Sequence, residues 1–159
     1  MKEYSIFTFE EYIEVTKKLL SEKPLDVAIL AAAVGDYGYN PHEGKISSDR
    51  DKLELAFYKN PKVISLVKEW KPEIFQVGFK LLSRVSDDYL IEAAYNHSKH
   101  NNSDLTVANS VDKGDFSKRR IFLITSQKEI VPVTEKELAA KVVEYVGRGL
   151  YAQSGSRKL

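Results

Sequence analysis

An apolar run without alternation is the feature that most constrains this fold. The run spans Asp26–Ala32, continues through Ala33 and Val34, and is followed by Gly35 and Asp36. Such a run is typical of a parallel strand covered on both faces, and ligands of parallel sheets bind just beyond the carboxyl ends of the strands. We therefore predict a buried strand over Asp26–Ala32 that delivers Asp36 to a binding site, where small alanine side chains let a ligand approach the backbone.

The composition excludes several classes of protein. The length of 159 residues is that of one domain, and the absence of cysteine excludes disulfides, thiolate metal sites and cysteine nucleophiles. The formal net charge of +1 gives no reason to expect nucleic acid or an acidic membrane as a partner. The charged start Met1-Lys2-Glu3 is unlike a signal peptide, and no apolar stretch approaches the roughly 18 residues of a membrane helix. We expect a soluble, cytoplasmic protein.

Helix and strand patterns alternate along the chain. Thr8 and Glu11 form a capping-box pattern ahead of a helix over Phe9–Ser21, and Asn60 is expected to cap another helix that begins with Pro61. The other predicted elements are a flap or hairpin of Lys45–Ser48 and Leu53–Phe57, a strand Phe75–Leu82, a helix beginning at Ser86-Asp87-Asp88, a strand Leu105–Ala108 ending at Asn109, a hairpin of Ile121–Thr125 and Ile130–Val133, and a last helix from Thr134 to about Val146.

This alternation predicts an α/β fold. We expect a Rossmann-like, doubly wound, mostly parallel sheet with a projecting flap and a terminal antiparallel hairpin. Residues 1–147 are predicted to form this domain, and residues 148–159 a flexible tail with nothing to bury. The basic run Lys118-Arg119-Arg120 is interpreted as a solvated turn.

The candidate site residues follow the predicted strands. Asp36 could hold magnesium or a ribose, Lys45 could neutralise a phosphate, and Phe79 could offer its ring to a base. The alternative is purely structural: Asp36 caps a turn, Lys45 is a solvated flap residue, and Phe79 belongs to the core. The pattern alone favours this alternative, since any α/β domain of this size carries some such set.

Five segments, in order and spacing, resemble the phosphopantothenate–cysteine ligase family, which is also called phosphopantothenoylcysteine synthetase. They are Ala31–Tyr37, Gly44–Ser48, Asn60-Pro61, Val77–Leu81 and Asp104–Asn109. The second and fourth segments are most similar to the stand-alone bacterial form of the enzyme. The resemblance covers nearly the whole chain.

The resemblance implies a ligase of coenzyme A biosynthesis. The 4′-phosphopantothenate carboxylate attacks the α-phosphorus of CTP or ATP, and the cysteine amine then displaces the nucleotide from the acyl nucleotidylate. Negative charge develops on phosphate oxygens in both steps, so positioning and fixed positive charge should dominate catalysis. The roles implied by family matches are catalysis for Lys45 and Asn109, nucleotide binding for Asp36, Lys45, Asn60, Phe79 and Lys80, magnesium binding for Asp36, and phosphopantothenate binding for Ala32 and Ala33.

The chain departs from the family pattern in two places. The glycine-rich strand-turn-helix with which the family domain begins has no match here, so we expect an apolar sheet edge that is exposed or pairs with another chain. Three explanations stay open: a second polypeptide supplies that part, the chain has been cut down, or the fold has been repurposed. Where fused bacterial members carry two phosphate-contacting lysines, the approximate matches are His97 and Asn101, which leaves the nucleotide preference open. His97 and His100 could instead be metal ligands, but two histidines at a polar helix end are more often solvated.

The resemblance also implies dimerisation. The aromatic residues around the flap favour a packing or dimer surface. A different class of function stays open: a non-catalytic module that keeps nucleotide binding, or only the dimer surface, and assembles or regulates a partner.

Overall fold

The computed structural model describes residues 2–40, 42–49, 51–112 and 115–156. The elements, in chain order, are α1 (Phe9–Glu22), β1 (Val27–Ile29), β2 (Tyr37–Tyr39), β3 (Phe57–Lys59), α2 (Val63–Trp70), β4 (Phe75–Ser83), α3 (Asp87–His100), β5 (Leu105–Asp112), β6 (Asp115–Thr125), β7 (Ile130–Val133) and α4 (Glu135–Ser156). No helix in the described ranges is long and apolar enough to cross a membrane.

Five strands form one mixed sheet in the order β1-β4-β5-β6-β7. The β1–β4 and β4–β5 pairs are parallel, whereas the β5–β6 and β6–β7 pairs are antiparallel. The predicted α/β class and the terminal hairpin are confirmed, but the antiparallel part is as large as the parallel part.

Helices cover both faces of this sheet, as expected for a doubly wound fold. On one face, α4 places Val142 and Tyr145 against a core that includes Val77, Val107 and Leu123. On the other face, α3 packs through Leu90 and Ala94 against Ala108 and Ile124. Leu20 of α1 completes a third cluster with Val67 and Ile74.

Local hydrogen bonds form at the starts of three helices. Thr8 and Glu11 form the predicted capping box of α1, and Ser86 Oγ accepts the amide hydrogen bond of Tyr89 at the start of α3. At α4, the Glu137 carboxylate accepts hydrogen bonds from the Thr134 amide and hydroxyl at 3.0 and 2.6 Å. Each signal lies within four residues and therefore depends little on the rest of the fold.

The opening strand differs from its prediction. It extends only over Val27–Ile29 and lies at the edge of the sheet, with Ile29 53% exposed. Residues 31–36 are exposed, whereas the sequence predicted that they continue the strand or lie buried at its end. The prediction of a strand covered on both faces is therefore wrong, whereas the expected exposed apolar edge is present.

The flap also pairs differently from its prediction. Its strands are Tyr37–Tyr39 and Phe57–Lys59, which form a separate antiparallel ladder. Lys45–Ser48 and Leu53–Ala56 lie in the long connection between them. We use "flap" for residues 37–59.

The strands β5 and β6 are longer than predicted. β5 continues past Asn109 to Asp112, and β6 begins at Asp115, so the basic run lies in a strand and not in a turn. Arg120 Nη1 donates a hydrogen bond to Asp87 Oδ1 at 2.5 Å. Arg120 Nη2 donates to Ser110 Oγ at 3.0 Å and to Val85 O at 2.7 Å. These partners allow a cation to lie within the sheet.

The last helix does not end near Val146. α4 continues to Ser156, and Leu150 packs against the core, so residues 148–156 are helical, whereas the flexibility predicted for them stays a prediction. Residues 157–159 of that predicted tail lie outside the described residues.

Candidate functional site

A cavity of about 350 Å³ opens at the carboxyl end of β1. It forms because β1 pairs with β4 only as far as Ile29 and Val77, whereas β4 continues to Ser83. After Leu30 N donates to Val77 O at 2.9 Å, the chain leaves the sheet. The space beside the unpaired part of β4 is this strand-end cavity, at the position where α/β sheets bind ligands.

The strand-end cavity brings together six predicted site residues. They are Ala32, Ala33, Asp36, Asn60, Phe79 and Lys80. They reach it from three segments: the loop after β1, the segment before α2, and β4. The prediction that Asp36 lies at a strand-end cavity is confirmed, whereas its chemical role stays a prediction.

Asn60 fixes the loop that carries Asp36. Its Nδ2 donates to Gly35 O at 3.0 Å, and its main-chain N donates to Asp36 O at 2.9 Å. The predicted cap of α2 is wrong, because Lys62 occupies the N-cap position and forms no side-chain capping bond. Asn60 uses its amide to bridge two loops instead of capping a helix.

Phe79 and Lys80 belong to opposite faces of β4, since neighbouring strand residues alternate. Phe79 packs against the cluster under α4, whereas Lys80 is half-buried on the face of α2 and α3. Both line the strand-end cavity. The alternative interpretation of Phe79 as a core residue is therefore supported, and a contact with a base stays a prediction.

Asn109 does not lie at a strand end. It is 2% exposed within β5, opposite Leu81, and its Nδ2 donates to Val107 O at 3.2 Å. Its Oδ1 is buried without a hydrogen-bond partner among the described residues. The prediction that Asn109 ends the third strand is wrong, and it is not among the lining residues of the cavity.

Lys45 is exposed in the flap connection and does not line the strand-end cavity. Its catalytic role therefore requires the flap to approach a bound ligand, and it stays a prediction.

Two further cavity residues are Lys62, to which the sequence analysis gave no role, and His97, which it considered as a metal ligand. Lys62 precedes α2 directly, and His97 faces the cavity from α3. Burial, followed by the charges of Lys80, Lys62 and His100, lowers the pKa of His97 to about 4. The position of Lys62 could have indicated a role. A lysine at a helix N-cap is repelled by the positive end of the helix dipole, which suggests that an anion binds there.

Magnesium fits this site only together with a ligand. Across residues 2–40, 42–49, 51–112 and 115–156, no group of three histidine, aspartate or glutamate side chains is placed to hold a metal ion. Asp36 alone matches the usual mode of magnesium, which binds one or two carboxylates plus substrate phosphates.

A family comparison decides the relationship of this chain. The family model described as the DNA/pantothenate metabolism flavoprotein C-terminal domain matches residues 2–148. The chain belongs to this family.

Curated members of the family share one region with the chain. The coenzyme A biosynthesis bifunctional protein CoaBC of Thermococcus kodakarensis is 34% identical over 146 residues, which cover 90% of this chain. The phosphopantothenate–cysteine ligase of Mus musculus is 33% identical over 117 residues, or 70% of this chain. The chain spans 36% of the length of each of these relatives.

Solved structures of the family share the fold. The DNA/pantothenate metabolism flavoprotein of Streptococcus pneumoniae superposes with a TM-score of 0.74 at 28% identity, covering 90% of this chain and 71% of that one. A Cab2 variant in complex with phosphopantothenate-cysteine superposes with a TM-score of 0.71 at 18% identity, covering 97% of this chain and 54% of that one. The predicted resemblance and α/β class are confirmed.

Proposed function

We propose that this chain forms the nucleotide-site portion of a phosphopantothenate–cysteine ligase in coenzyme A biosynthesis. The observation that carries this proposal is the strand-end cavity, which gathers six residues selected on the family resemblance. The names of the curated relatives support the same reaction.

In this reaction, a bond forms between a 4′-phosphopantothenate carboxylate oxygen and the α-phosphorus of CTP or ATP, and pyrophosphate leaves. The cysteine amine then attacks the acyl carbon, the amide forms, and the nucleoside monophosphate leaves. Magnesium, when bound with the nucleotide, neutralises phosphate charge.

The residues of the chain have distinct roles in this proposal. Asp36 holds the nucleotide through its metal ion or ribose, and Asn60 keeps the Asp36 loop in place through its bond to Gly35 O. Lys80 supplies fixed positive charge, which stabilises a phosphoryl transition state most when water is excluded. The exposed backbone of Ala32 and Ala33 forms the phosphopantothenate wall.

Lys45, Phe79 and Asn109 complete the proposed site. Lys45 stabilises the acyl phosphate from the flap, and Phe79 lies against the nucleotide. Asn109 lies on the same face as Phe79 on the neighbouring strand, and its buried Oδ1 has no hydrogen-bond partner among the described residues.

The apolar edge supports a partner that extends the sheet. Next to the loop after β1, a second groove, called the apolar groove below, is lined by Ile6, Phe7 and the Ala32–Gly35 loop, and Phe7 is 87% exposed. We infer that a polypeptide with the remaining region of the relatives covers this edge. We further infer a homodimer through the flap, where Tyr37, Tyr39 and Phe57 are between 59% and 63% exposed.

The test is pyrophosphate release from CTP and from ATP, with magnesium and 4′-phosphopantothenate. It is measured for this chain alone and after addition of a polypeptide carrying the remaining region of the relatives. Release that requires phosphopantothenate supports the ligase, and a requirement for the added polypeptide indicates a shared active site. No release in either mixture overturns the ligase and favours a non-catalytic nucleotide-binding or assembly module.

A further inference from the structure

A buried polar cluster lies behind the strand-end cavity, between β4, β5 and the end of α3. Its members are each at most 2% exposed, and they are Gln76, Ser98, Asn101, Ser103 and Thr106. They share their face of the sheet with Ala108 and Ile124, on which α3 packs its apolar side chains. A buried polar atom is costly without a hydrogen bond, so each polar atom of this cluster needs a partner.

Direct hydrogen bonds satisfy part of the buried polar cluster. Gln76 Nε2 donates to Asn101 O at 2.9 Å and to Ser103 Oγ at 3.0 Å. Asn101 Nδ2 donates to His97 O, and Asn101 Oδ1 accepts from Ser65 Oγ, each at 2.7 Å. Asn101, the approximate match to a lysine of fused bacterial members, is 1% exposed and is therefore a structural member of the cluster.

Three buried side-chain atoms beside these bonds have no hydrogen-bond partner within the described ranges. They are Gln76 Oε1, Thr106 Oγ1 and His97 Nδ1. The orientation of the Gln76 amide is fixed, because its Nε2 is needed as the donor to Asn101 O. Unpaired buried side-chain atoms are rare in proteins, so these three require an explanation.

Gly78 brings the three unpaired atoms together. It pairs with Thr106 in the parallel ladder, and Gln76 lies two residues earlier on the same face of β4. A Cβ at position 78 would lie 3.3 Å from Ser103 Oγ and 3.6 Å from Cε1 of His97, the ring carbon bonded to Nδ1. Ser103 Oγ in turn accepts the hydrogen bond of the Gln76 amide. The three unpaired atoms therefore surround the same glycine and could share one partner.

The strand-end cavity extends to the neighbours of Gly78. His97 and Ile64 both line the cavity, and a Cβ at position 78 would lie 2.8 Å from Ile64 Cδ1. Solvent in the cavity is thus one side chain away from the unpaired atoms.

The unpaired atoms match the hydrogen-bonding capacity of water. Gln76 Oε1 only accepts, Thr106 Oγ1 donates and accepts, and His97 Nδ1 does either according to its tautomer. A water molecule can donate two hydrogen bonds and accept two, and buried waters typically make about three. The members of the buried polar cluster carry no carboxylate or ammonium group, which favours a neutral ligand.

We propose that one water molecule binds beside Gly78 and joins Gln76 Oε1, Thr106 Oγ1 and His97 Nδ1. This water links β4, β5 and α3 behind the part of the cavity wall that His97 forms, and so holds that wall in place. The inference goes beyond the proposed function and does not depend on it, since no reactant of the ligase takes part.

A crystal structure of the whole chain, at a resolution that shows ordered water, tests the site directly. We expect one ordered water within about 3.2 Å of both Thr106 Oγ1 and Gln76 Oε1. Absence of water beside Thr106 overturns the proposal, and so does a Thr106 hydroxyl that is hydrogen-bonded to a protein atom instead. In solution, oxygen-17 relaxation dispersion of the solvent should detect one more long-lived water in wild type than in Thr106→Val.

Thr106→Val distinguishes a bound water from an unpaired hydroxyl, because valine has nearly the same shape as threonine. With a bound water, the variant removes one of its partners, so the equilibrium constant for unfolding in urea should rise about fivefold or more. With an unpaired hydroxyl, the variant removes a buried polar group that had no partner, and the constant should fall. A fall in this constant therefore overturns the proposal.

Ser98→Ala is the matched control within the buried polar cluster. Ser98 Oγ donates directly to Ser103 O at 2.8 Å, so this variant should also destabilise the fold but keep the long-lived water. Equal water relaxation in wild type and Thr106→Val would place the long-lived water elsewhere and overturn the proposal. The wild-type crystal structure decides the question even where a variant fails to fold. No measurement involves phosphopantothenate, nucleotide or turnover, so failure of the ligase assay leaves this test intact.

Discussion

Lys45 differs from most of the other proposed site residues, because it lies outside the strand-end cavity. It is exposed in the flap connection, whereas Asp36 and Lys80 line the cavity. Its proposed role needs the flap to close over the nucleotide, so its positive charge acts only in the liganded state. Such a residue should matter for turnover and not for folding.

Lys45→Gln should lower phosphopantothenate-dependent pyrophosphate release by about a hundredfold, because it removes a charge that stabilises the phosphoryl transition state. The free energy of unfolding should not change, since the side chain is exposed. Lys52→Gln is the matched control: it lies in the same connection, and its ion pair with Glu54 is about four-fifths exposed on both sides. Wild-type release by Lys45→Gln would remove the catalytic role.

The sequence predicted part of the site for a physical reason. Asp36, Ala32 and Ala33 follow an apolar strand directly, so their place at its carboxyl end is a local property. Lys62 and His97 reach the cavity only through the packing of α2 and α3. Asn60 shows the same limit, because an amide that suits a helix cap equally suits a bridge to a distant loop.

At the scale of elements, a partly buried ion pair joins α2 to the sheet. Lys68 Nζ lies 2.7 Å from Asp104 Oδ2, and it also donates to Ile74 O at 2.6 Å. Asp104 Oδ2 accepts the amide hydrogen bond of Gln76 at 2.7 Å. The two side chains are 13% and 25% exposed, so each compensates the desolvation of the other.

Lys68→Met should lower the free energy of unfolding by about 3 kcal/mol, because the Asp104 carboxylate stays buried without its partner. Lys52→Met removes an exposed pair of the same type and should cost less than about 0.5 kcal/mol. Urea unfolding of both variants checks the contrast. Equal small losses would mean that water enters and solvates Asp104.

Two glycines explain why the end of α4 was not predicted. Gly147 and Gly149 resemble a helix end, and helix propensity alone favours stopping there. A Cβ at position 149 would overlap Phe75 Cε2 and lie 2.6 Å from Cδ2, whereas a Cβ at position 147 has nothing within 4 Å. Gly149 is thus required by tertiary packing, which local propensity does not register. The longer β5–β6 pair was missed similarly, because Asn109 and Ser110 are polar residues that the ladder buries.

Gly149→Ala should lower the free energy of unfolding by about 1–3 kcal/mol through overpacking against the Phe75 ring. Gly147→Ala should raise it by up to about 1 kcal/mol, because alanine favours the helix and meets open space. Thermal or urea unfolding of the pair gives shifts of opposite sign. A stabilising Gly149→Ala would show that α4 does not pack on Phe75 in solution.

At the scale of the whole molecule, the open edge strand β1 leads directly into the loop that borders the strand-end cavity. Among the described residues β1 pairs with β4 alone, and Ile29 of β1 is 53% exposed. Val34 in the loop after β1 is 40% exposed, and Phe7 is 87% exposed. The strand-end cavity and the apolar groove share Ala32–Gly35 as a common wall. A partner that covers the groove would therefore also close one side of the strand-end cavity, so the proposed assembly and the proposed nucleotide binding involve the same loop.

The stability of the whole chain should fall as the pH drops from 7.5 to 5. The pKa of His97 is about 4 in the folded state against 6.5 for the unperturbed residue, so in this window the unfolded chain binds a proton that the folded chain does not. The contribution of His97 to the free energy of unfolding is therefore full above pH 6.5 and decreases as the pH falls. Below about pH 4 it no longer changes with pH. Since the ring is only half-buried, the loss at pH 5 should be about 1 kcal/mol, roughly half of what the full shift gives.

Urea unfolding at pH 7.5 and pH 5 should show a smaller loss for His97→Gln than for wild type, and an unchanged loss for His42→Gln. Equal losses in wild type and His97→Gln would show that His97 is protonated in the folded chain and that the acid sensitivity arises elsewhere.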